Sequence, residues 1–393
     1  MIGAGLSGLA AAACLADAGV HVEVFEAASA PGGLIGTLRT PEGLVERAAN
    51  AFVWSERTAR WFERLGITPQ FASDRSRRRF IFRGGRPHRF PLGAGEAASA
   101  VVHAASAWVG GRMKPAGRES VAAWGTRVMG PAATRSLLSP ALHGIYAAPA
   151  DRLCAAAVFG ARGRRRGRTV SAAPPGGMGE FIERLYERLR GQGVSFTFDR
   201  TVDALEPGVP TVVATNAVAA ARLVAPHAPA LGDAIRAVPM NCMVTATAFF
   251  PPRADDLHGF GVLFPRDSHV AALGALFNAD VFEGRSRHRL ETWMYGADSP
   301  DGLPPESDLG AQILRDREKL AGRTDEPISV YATRRAPALP VYSAAILDVR
   351  DRLADLPSWL ALSGNYLGRI GVSRLLEIGE EAAARLAASG RAA

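Results

Sequence analysis

The apolar residues of the chain fall into runs whose spacing predicts alternating helices and strands. The run L-A-A-A-A-C-L-A-D-A fills the interval between Gly8 and Gly19, and its length favours a helix that the second glycine ends. The next segment, H-V-E-V-F-E, alternates polar and apolar residues with the period of a strand and ends at Glu26. Residues 360–386 read as a strand, a glycine turn and a helix.

The first turn has the spacing of a dinucleotide-binding motif, with Gly3, Gly5 and Gly8 in the pattern G-x-G-x-x-G. Gly3 permits a tight turn, Gly5 lets a pyrophosphate approach the main chain, and Gly8 lets the helix pack on the strand. Glu26 would accept hydrogen bonds from ribose hydroxyls. A glycine-rich turn without a ligand is the alternative, and the order of helix, strand and acid favours the dinucleotide.

A second glycine pair favours FAD over NAD as that dinucleotide. The segment A-P-G-G-L-I-G-T contains Gly32 and Gly33, a pair of the kind that wraps the FAD pyrophosphate. The glycine turn in residues 363–372 would aim the amides of a second helix at the flavin or its ribityl chain.

Composition predicts a folded chain of two domains without nucleic acid as a partner. The chain has 393 residues, of which 48% are hydrophobic and 21% charged. Its net charge of +8 comes almost entirely from scattered arginines, since Lys114 and Lys319 are its lysines. The dense arginine run at 162–168 has no interleaved aromatics, so a solvated loop is favoured over a phosphate or membrane patch.

The cysteines and the hydropathy pattern favour a cytoplasmic protein without a metal site. Cys14, Cys154 and Cys242 are widely separated, and no C-x-x-C spacing occurs. No stretch of about 20 apolar residues is present to span a bilayer, and the N-terminus has no basic segment before its apolar run.

Several further segments together resemble the oxygen-dependent protoporphyrinogen oxidase family, within the wider flavin amine oxidase group. The resemblance covers most of the chain, and its most discriminating part is H-G-F-G-V-L-F-P followed by L-G-A-L-F and W-M-Y-G. The other segments that carry it are R-R-R-F-I-F-R-G-G-R, L-H-G-I-Y-A, P-P-G-G-M-G-E-F-I-E-R-L, R-A-P-A-L-P-V-Y and S-G-N-Y-L-G-R-I-G-V.

The resemblance implies FAD bound without a covalent link, because no cysteine follows Cys242. It places Asn50 beside the flavin and, with Arg79, in the catalytic site. The residues it assigns to the cofactor are Gly3, Gly5, Gly8, Glu26, Gly32, Gly33, Val202, Gly364, Asn365 and Val372. Those it assigns to the border of a tetrapyrrole are Arg79, Phe260, Gly261, Leu263 and Met294.

The residue types of the second group suit such a substrate. A porphyrinogen is an apolar macrocycle with anionic propionates, so Phe260, Leu263 and Met294 would form walls and Arg79 would bind a carboxylate. Taken singly, an apolar residue on a strand is usually core and an arginine is usually solvated. Only the order of these residues along the chain, taken together, favours a substrate site.

The expected fold is α/β, with a discontinuous Rossmann-like FAD domain in residues 1–70, 170–235 and 340–393. A helical, membrane-proximal segment is expected in 71–169, and an inserted α+β substrate-binding domain in 236–339. The helix expected in residues 96–111, with Trp108 near its end, would contact the inner face of a membrane or pack in the interior. The sequence fixes no oligomeric state, and a homodimer stays open.

The expected activity is oxidation of protoporphyrinogen IX, or of coproporphyrinogen III, with dioxygen as acceptor in haem synthesis. One alternative is a flavin enzyme of the amine oxidase or desaturase type that acts on an amine or a polyene. Another is a non-catalytic relative that binds flavin or tetrapyrrole without turnover. Assays on the respective substrates distinguish the three.

Overall fold

The computed structural model describes residues 1–89, 91–160 and 170–390, so the arginine run at 162–168 lies outside the described residues. The α-helices, numbered in chain order, are α1 Leu6–Asp17, α2 Glu56–Arg64, α3 Ala94–Val109, α4 Val121–Ala133, α5 Ser139–Tyr146, α6 Ala155–Phe159, α7 Met178–Gly191, α8 Ala217–Val224, α9 Pro229–Arg236, α10 Asn278–Val281, α11 Leu309–Ala321, α12 Ala345–Asp351 and α13 Val372–Gly390. The strands are β1 Glu23–Phe25, β2 Thr37–Arg39, β3 Leu44–Glu46, β4 Phe52–Val53, β5 Gln70–Phe71, β6 Arg79–Arg83, β7 Arg86–His88, β8 Ser171–Ala173, β9 Ser195–Thr197, β10 Thr211–Val213, β11 Met240–Phe250, β12 Gly261–Leu263, β13 Gly274–Leu276, β14 Arg289–Ala297, β15 Ser329–Pro340 and β16 Leu360–Leu362.

A parallel sheet forms the first layer, in the order β9, β1, Ile2, β10, β16. Ile2 is its central position, and its N–H donates to the carbonyl of Val212 at 2.9 Å. On the other side, the N–H of Gly3 donates to the carbonyl of Phe25 at 2.8 Å. The parallel strands with crossover helices confirm the predicted α/β, Rossmann-like class.

Helices α1 and α13 pack closely against each other because small residues line their contact. Residues 10–13 of α1 are alanines with no exposed surface. A Cβ at Gly379 of α13 would lie 2.4 Å from the carbonyl oxygen of Ser7. The glycine therefore sets the distance between the two helices and holds the start of α1 against the sheet.

A second sheet of seven strands follows the order β15-β11-β14-β13-β12-β6-β7. Its pairs are antiparallel, apart from β12 and β6, which run parallel. One face packs against α11 in a cluster that includes Val244, Trp293, Tyr295 and Ile313. The opposite face carries the residues of the candidate site.

The strands come from several of the predicted domain intervals. The parallel layer uses residues of the three intervals expected to form the FAD domain. The seven-stranded sheet takes β11 to β15 mainly from 236–339, and β6 and β7 from 71–169. The interval 71–169 thus supplies strands as well as helices, and the division into domains stays a prediction.

Helix α3 is not an interior packing helix. Ala107 is its buried residue, while Val101, Val102, Trp108 and Val109 are exposed. Across the residues with described coordinates, no helix combines the length and apolar character needed to cross a membrane.

We expect Gly379→Ala to lower the free energy of unfolding by about 1–3 kcal/mol, because the added methyl group would meet a backbone oxygen. Thermal unfolding of the flavin-loaded protein measures the change. Gly310→Ala in α11 is the matched control, since a Cβ there meets no atom within 4 Å. Equal effects of the two substitutions would contradict the close packing of α1 and α13.

Candidate functional site

Two glycines of the first turn are required by the protein's own packing. Gly3 has a φ of +99°, and a Cβ there would lie 2.5 Å from the carbonyl oxygen of Ala214. A Cβ at Gly8 would lie 2.2 Å from the carbonyl oxygen of Gly3. Both residues let α1 start directly against the end of the central strand.

Gly5 is different, because a Cβ there would meet no atom within 4 Å. It forms a bridge with Gly32, and Gly33 lies against its Cα. Gly5 is also the N-cap of α1, whose first amides receive no side-chain cap. Free amides beside open space suit an anionic pyrophosphate, so the residues present fit FAD.

The carboxyl ends of the parallel strands bring further predicted cofactor residues to one edge. Glu26 follows β1, and its carboxylate accepts hydrogen bonds from the N–H groups of Ala4 (2.6 Å) and Ala28 (2.9 Å). Gly364 follows β16, and a Cβ there would lie 3.2 Å from the carbonyl oxygen of Thr215, just after β10. The Glu26 side chain is thus held at the glycine turn.

The remaining predicted cofactor residues lie in the segments that follow β9 and β16. The carbonyl of Asn365 accepts a hydrogen bond from the buried hydroxyl of Tyr342 at 2.8 Å. Val372 is the first residue of α13. Val202 lies after β9 with its carbonyl toward Arg222, and no described contact joins it to the glycine turn.

Strand register brings four predicted substrate residues to one face of the seven-stranded sheet. Gly261 pairs with Arg79, and Leu263, two residues further along β12, pairs with Gly274. Gly274 in turn pairs with Met294. Paired residues point to the same side of a sheet, so Arg79, Gly261, Leu263 and Met294 share a face, which we call the open face.

Burial along β11 shows that this face is partly uncovered. Met243 and Thr245 are partly exposed on the open face, where Thr245 pairs with Met294. Val244 and Ala246 point to the other side and are completely buried. The sheet therefore has one buried face and one partly accessible, largely apolar face.

Arg79 lies at the β6 end of the open face, and its side chain is exposed. Its guanidinium carbon is 4.5 Å from the centroid of the Phe260 ring. Among the described residues, no carboxylate oxygen lies within 4.0 Å of its guanidinium nitrogens. A cation stacked on a ring and free of a carboxylate can bind an external anion.

Asn50 belongs to a polar chain that reaches the open face. Its amide oxygen accepts a hydrogen bond from Asn278 at 2.8 Å, and Asn278 also donates to the hydroxyl of Thr292 at 3.0 Å. Thr292 contacts the hydroxyl of Thr247 at 2.9 Å. Sequence reasoning missed Asn278, because only the fold brings the short helix α10 against Asn50.

A buried ion pair fixes the segment that leads to Asn50. The Glu46 carboxylate accepts hydrogen bonds from Arg285, from the Thr37 hydroxyl (2.6 Å) and from the Met178 N–H (3.0 Å). Burial raises the pKa of Glu46, and the charge of Arg285 acts in the opposite direction. The pair joins β3, α7 and the residues before β14.

Comparison with known sequences finds a match to the family described as flavin containing amine oxidoreductase over residues 6–335. A coproporphyrinogen III oxidase of Propionibacterium freudenreichii subsp. freudenreichii is 24% identical over 95% of this chain and 87% of its own length. Protoporphyrinogen oxidase 2, chloroplastic/mitochondrial, of Arabidopsis thaliana is 29% identical over 32% of this chain and 27% of its own.

Solved structures share the fold over nearly the whole chain. A protein provisionally named protoporphyrinogen oxidase from Exiguobacterium sp. 255-15 has a TM-score of 0.83 at 19% identity, with 99% of this chain and 98% of that chain covered. Cyclohexylamine oxidase from Brevibacterium oxydans IH-35A has a TM-score of 0.74 at 17% identity, with the same coverage.

We expect Gly5→Ala to fold normally and to lose FAD, because its methyl group meets no protein atom and would occupy the space beside the free amides of α1. The ratio of flavin to protein absorbance measures occupancy, and thermal unfolding measures the fold. Gly8→Ala is the contrasting variant, since its methyl group would meet backbone and should destabilise the protein itself. Full flavin occupancy in Gly5→Ala would contradict the assignment.

Proposed function

Because the chain belongs to the flavin containing amine oxidoreductase family, we propose that this flavin-dependent oxidase converts a porphyrinogen to the porphyrin, with FAD as cofactor and dioxygen as acceptor. The observation that carries the proposal is Arg79, which has no carboxylate partner among the described residues and lies at one end of the apolar open face. A macrocycle with propionates needs that combination of an apolar surface and a cation. The two porphyrinogen oxidases with similar sequences support the same class of substrate.

The carboxyl edge of the parallel sheet, with the glycine turn of residues 3–8, would hold the cofactor. Gly5 and the first amides of α1 would bind the pyrophosphate, and Glu26 would bind the adenosine ribose. Bound FAD would supply the two-electron acceptor for a methylene carbon of the substrate. We propose a non-covalent complex, since the last cysteine, Cys242, lies buried in β11.

The open face would hold and orient the substrate. Leu263 and Met294 would contact the macrocycle and exclude water, and Arg79 would bind a propionate. Asn50 would lie beside the flavin with its amide oriented by two hydrogen bonds: its oxygen accepts from Asn278, and its nitrogen donates to the Ala48 carbonyl at 3.2 Å and keeps a second N–H.

The experiment that tests this function adds protoporphyrinogen IX or coproporphyrinogen III to the FAD-loaded protein in air and follows porphyrin fluorescence. We expect fluorescence to rise faster than in the autoxidation control. A flavin-loaded protein that leaves the autoxidation rate unchanged for both compounds would contradict the proposal, and amines and polyenes would then be assayed.

We expect Arg79→Gln to lower kcat/KM by about one to two orders of magnitude, which corresponds to loss of a charge-assisted hydrogen bond of about 1.5–3 kcal/mol. Steady-state kinetics on both porphyrinogens measure the effect. The matched control is Arg78→Gln, which changes the neighbouring side chain and keeps the carbonyl that accepts from Phe260. Equal kinetics of the two variants would remove Arg79 from the site.

We also propose that α3 contacts a membrane surface, since Trp108 is 75% exposed and Val109 79% exposed. We expect the double substitution Trp108→Ser and Val109→Ser to weaken binding to phosphatidylglycerol vesicles by at least about tenfold, because apolar area is no longer buried in lipid. Vesicle sedimentation measures binding. The control is Val218→Ser, an exposed apolar residue of α8, and equal sedimentation of the two variants would contradict the contact.

A further inference from the structure

Asp280 is a buried carboxylate that contacts the turn before β12. Its Oδ2 accepts a hydrogen bond from the N–H of Gly259 at 3.1 Å, and its Oδ1 lies 2.9 Å from Nδ1 of His258. An ionised carboxylate only accepts hydrogen bonds, so Nδ1 of His258 is the donor. Asp280 therefore binds two consecutive residues of this turn.

The same turn places Phe260 against Arg79. The N–H of Phe260 donates to the carbonyl of Arg78 at 2.7 Å, and the carbonyl of Phe260 accepts from the N–H of Phe277 at 3.0 Å. The ring centroid of Phe260 is 4.5 Å from the guanidinium carbon of Arg79. The position of the ring beside Arg79 thus depends on a backbone turn that is hydrogen-bonded to Asp280.

Asp280 also belongs to α10, the short helix that carries Asn278. The side-chain amide of Asn278 donates to the amide oxygen of Asn50 at 2.8 Å. The main chain of α10 is anchored at Ser73, whose hydroxyl donates to the carbonyl of Asp280 and whose N–H donates to the carbonyl of Val281 at 2.9 Å. Asp280 thus joins the turn before β12, through its side chain, to the helix that orients Asn50.

Arg289 of β14 balances the charge of Asp280 inside the protein. Its guanidinium donates to Oδ2 of Asp280 at 3.2 Å and to Glu291 at 2.9 Å. Arg75, which is exposed, lies 3.7 Å from Oδ1. Two N–H groups therefore meet at Oδ2, which has to be an acceptor, whereas Oδ1 faces His258 and Arg75. These contacts hold the carboxylate in one orientation.

A second buried carboxylate makes similar local contacts without this connection. Asp316 of α11 is completely buried and accepts hydrogen bonds from the N–H groups of Ala271 (3.0 Å) and Ala272 (3.1 Å). Both alanines lie between β12 and β13, and among the described residues neither is hydrogen-bonded to Phe260 or to α10. Asp316 therefore serves as a matched comparison for Asp280.

We propose that Asp280 is a positioning residue of the substrate site, which sets the Phe260 ring beside Arg79 and fixes this end of the open face relative to Asn50. The inference rests on the proposed function, because Arg79 is there the residue that binds an anionic substrate. It deepens that function by a residue that lies off the open face and acts through Arg79.

The test is a double-mutant cycle measured by binding, so it does not depend on turnover. FAD-loaded wild type, Arg79→Gln, Asp280→Ala and the double variant are titrated with protoporphyrin IX, a stable oxidised porphyrin, and the porphyrin absorbance gives the dissociation constants. We expect each single substitution to weaken binding by about tenfold or more. The double variant should bind no more than about threefold more weakly than Arg79→Gln alone, because Asp280 acts through Arg79.

The matched control is Asp316→Ala, which also removes a buried carboxylate from two loop N–H groups and should lower Tm as Asp280→Ala does. We expect it to weaken porphyrin binding by less than about threefold, and its effect to multiply with that of Arg79→Gln. Multiplying effects of Asp280→Ala and Arg79→Gln would overturn the inference, and so would equal losses of binding in the two aspartate variants.

Asp280→Asn is a second variant, which keeps the inference testable if Asp280→Ala does not fold. Its amide oxygen can accept from Gly259 and Arg289, and its amide nitrogen can donate to Nδ1 of a neutral His258. We expect binding close to wild type at alkaline pH and a loss of at least about fivefold on acidification, since a protonated histidine cannot accept. The same pH dependence in wild type and Asp280→Asn would contradict the assigned contacts.

Oxidation and binding together separate this inference from the proposed function. Porphyrinogen oxidation with multiplying effects in the cycle would overturn the role of Asp280 alone. Porphyrin binding that shows the expected coupling, without any oxidation, would support the role of Asp280 and contradict the proposed function. A wild type that binds no porphyrin would contradict both.

Discussion

The buried contact between Glu46 and Arg285 is the interaction on which the geometry of the site depends. It ties the hairpin of β2 and β3 to the start of α7 and to the segment before β14, so it connects the parallel layer with the seven-stranded sheet. Removing one partner of such a pair leaves an uncompensated charge, at a typical cost of about 3–5 kcal/mol. Asn50 lies four residues after Glu46, so the contact also holds the segment that leads to Asn50.

Different parts of the chain form the surfaces of the two proposed sites, the carboxyl edge of the parallel sheet and the open face. At the edge, the main chain makes the binding surface, and glycines keep it free of side chains. On the open face, side chains make the surface, and the strand register decides which of them meet. The first arrangement would bind a phosphate through backbone amides. The second would bind a substrate through apolar residues and the guanidinium of Arg79.

Sequence spacing predicted the glycine turn and the helix that follows it, because the motif is local, and the binding of the cofactor at this turn stays a prediction. Gly3, Gly5 and Gly8 lie within one turn, and the strand that ends at Glu26 follows directly along the chain. The prediction of the α/β fold class rested on the same segment. The substrate residues were named from a resemblance, since Arg79 and Met294 are more than 200 positions apart and only pairing through β12 and β13 brings them to one face. Asn278 was missed because its contact with Asn50 leaves no local pattern.

The sequence by itself determined the elements whose causes are neighbouring residues: the glycine turn, the alanine-rich helix α1 and the alternating strand β1. Backbone sterics and hydrophobic periodicity act over a few residues, so their traces are readable without the fold. The tertiary structure alone decided which distant side chains share the open face and which arginines lack a carboxylate. Burial and pairing of charges depend on what packs nearby, and for Glu46 that partner is Arg285, 239 positions away along the chain.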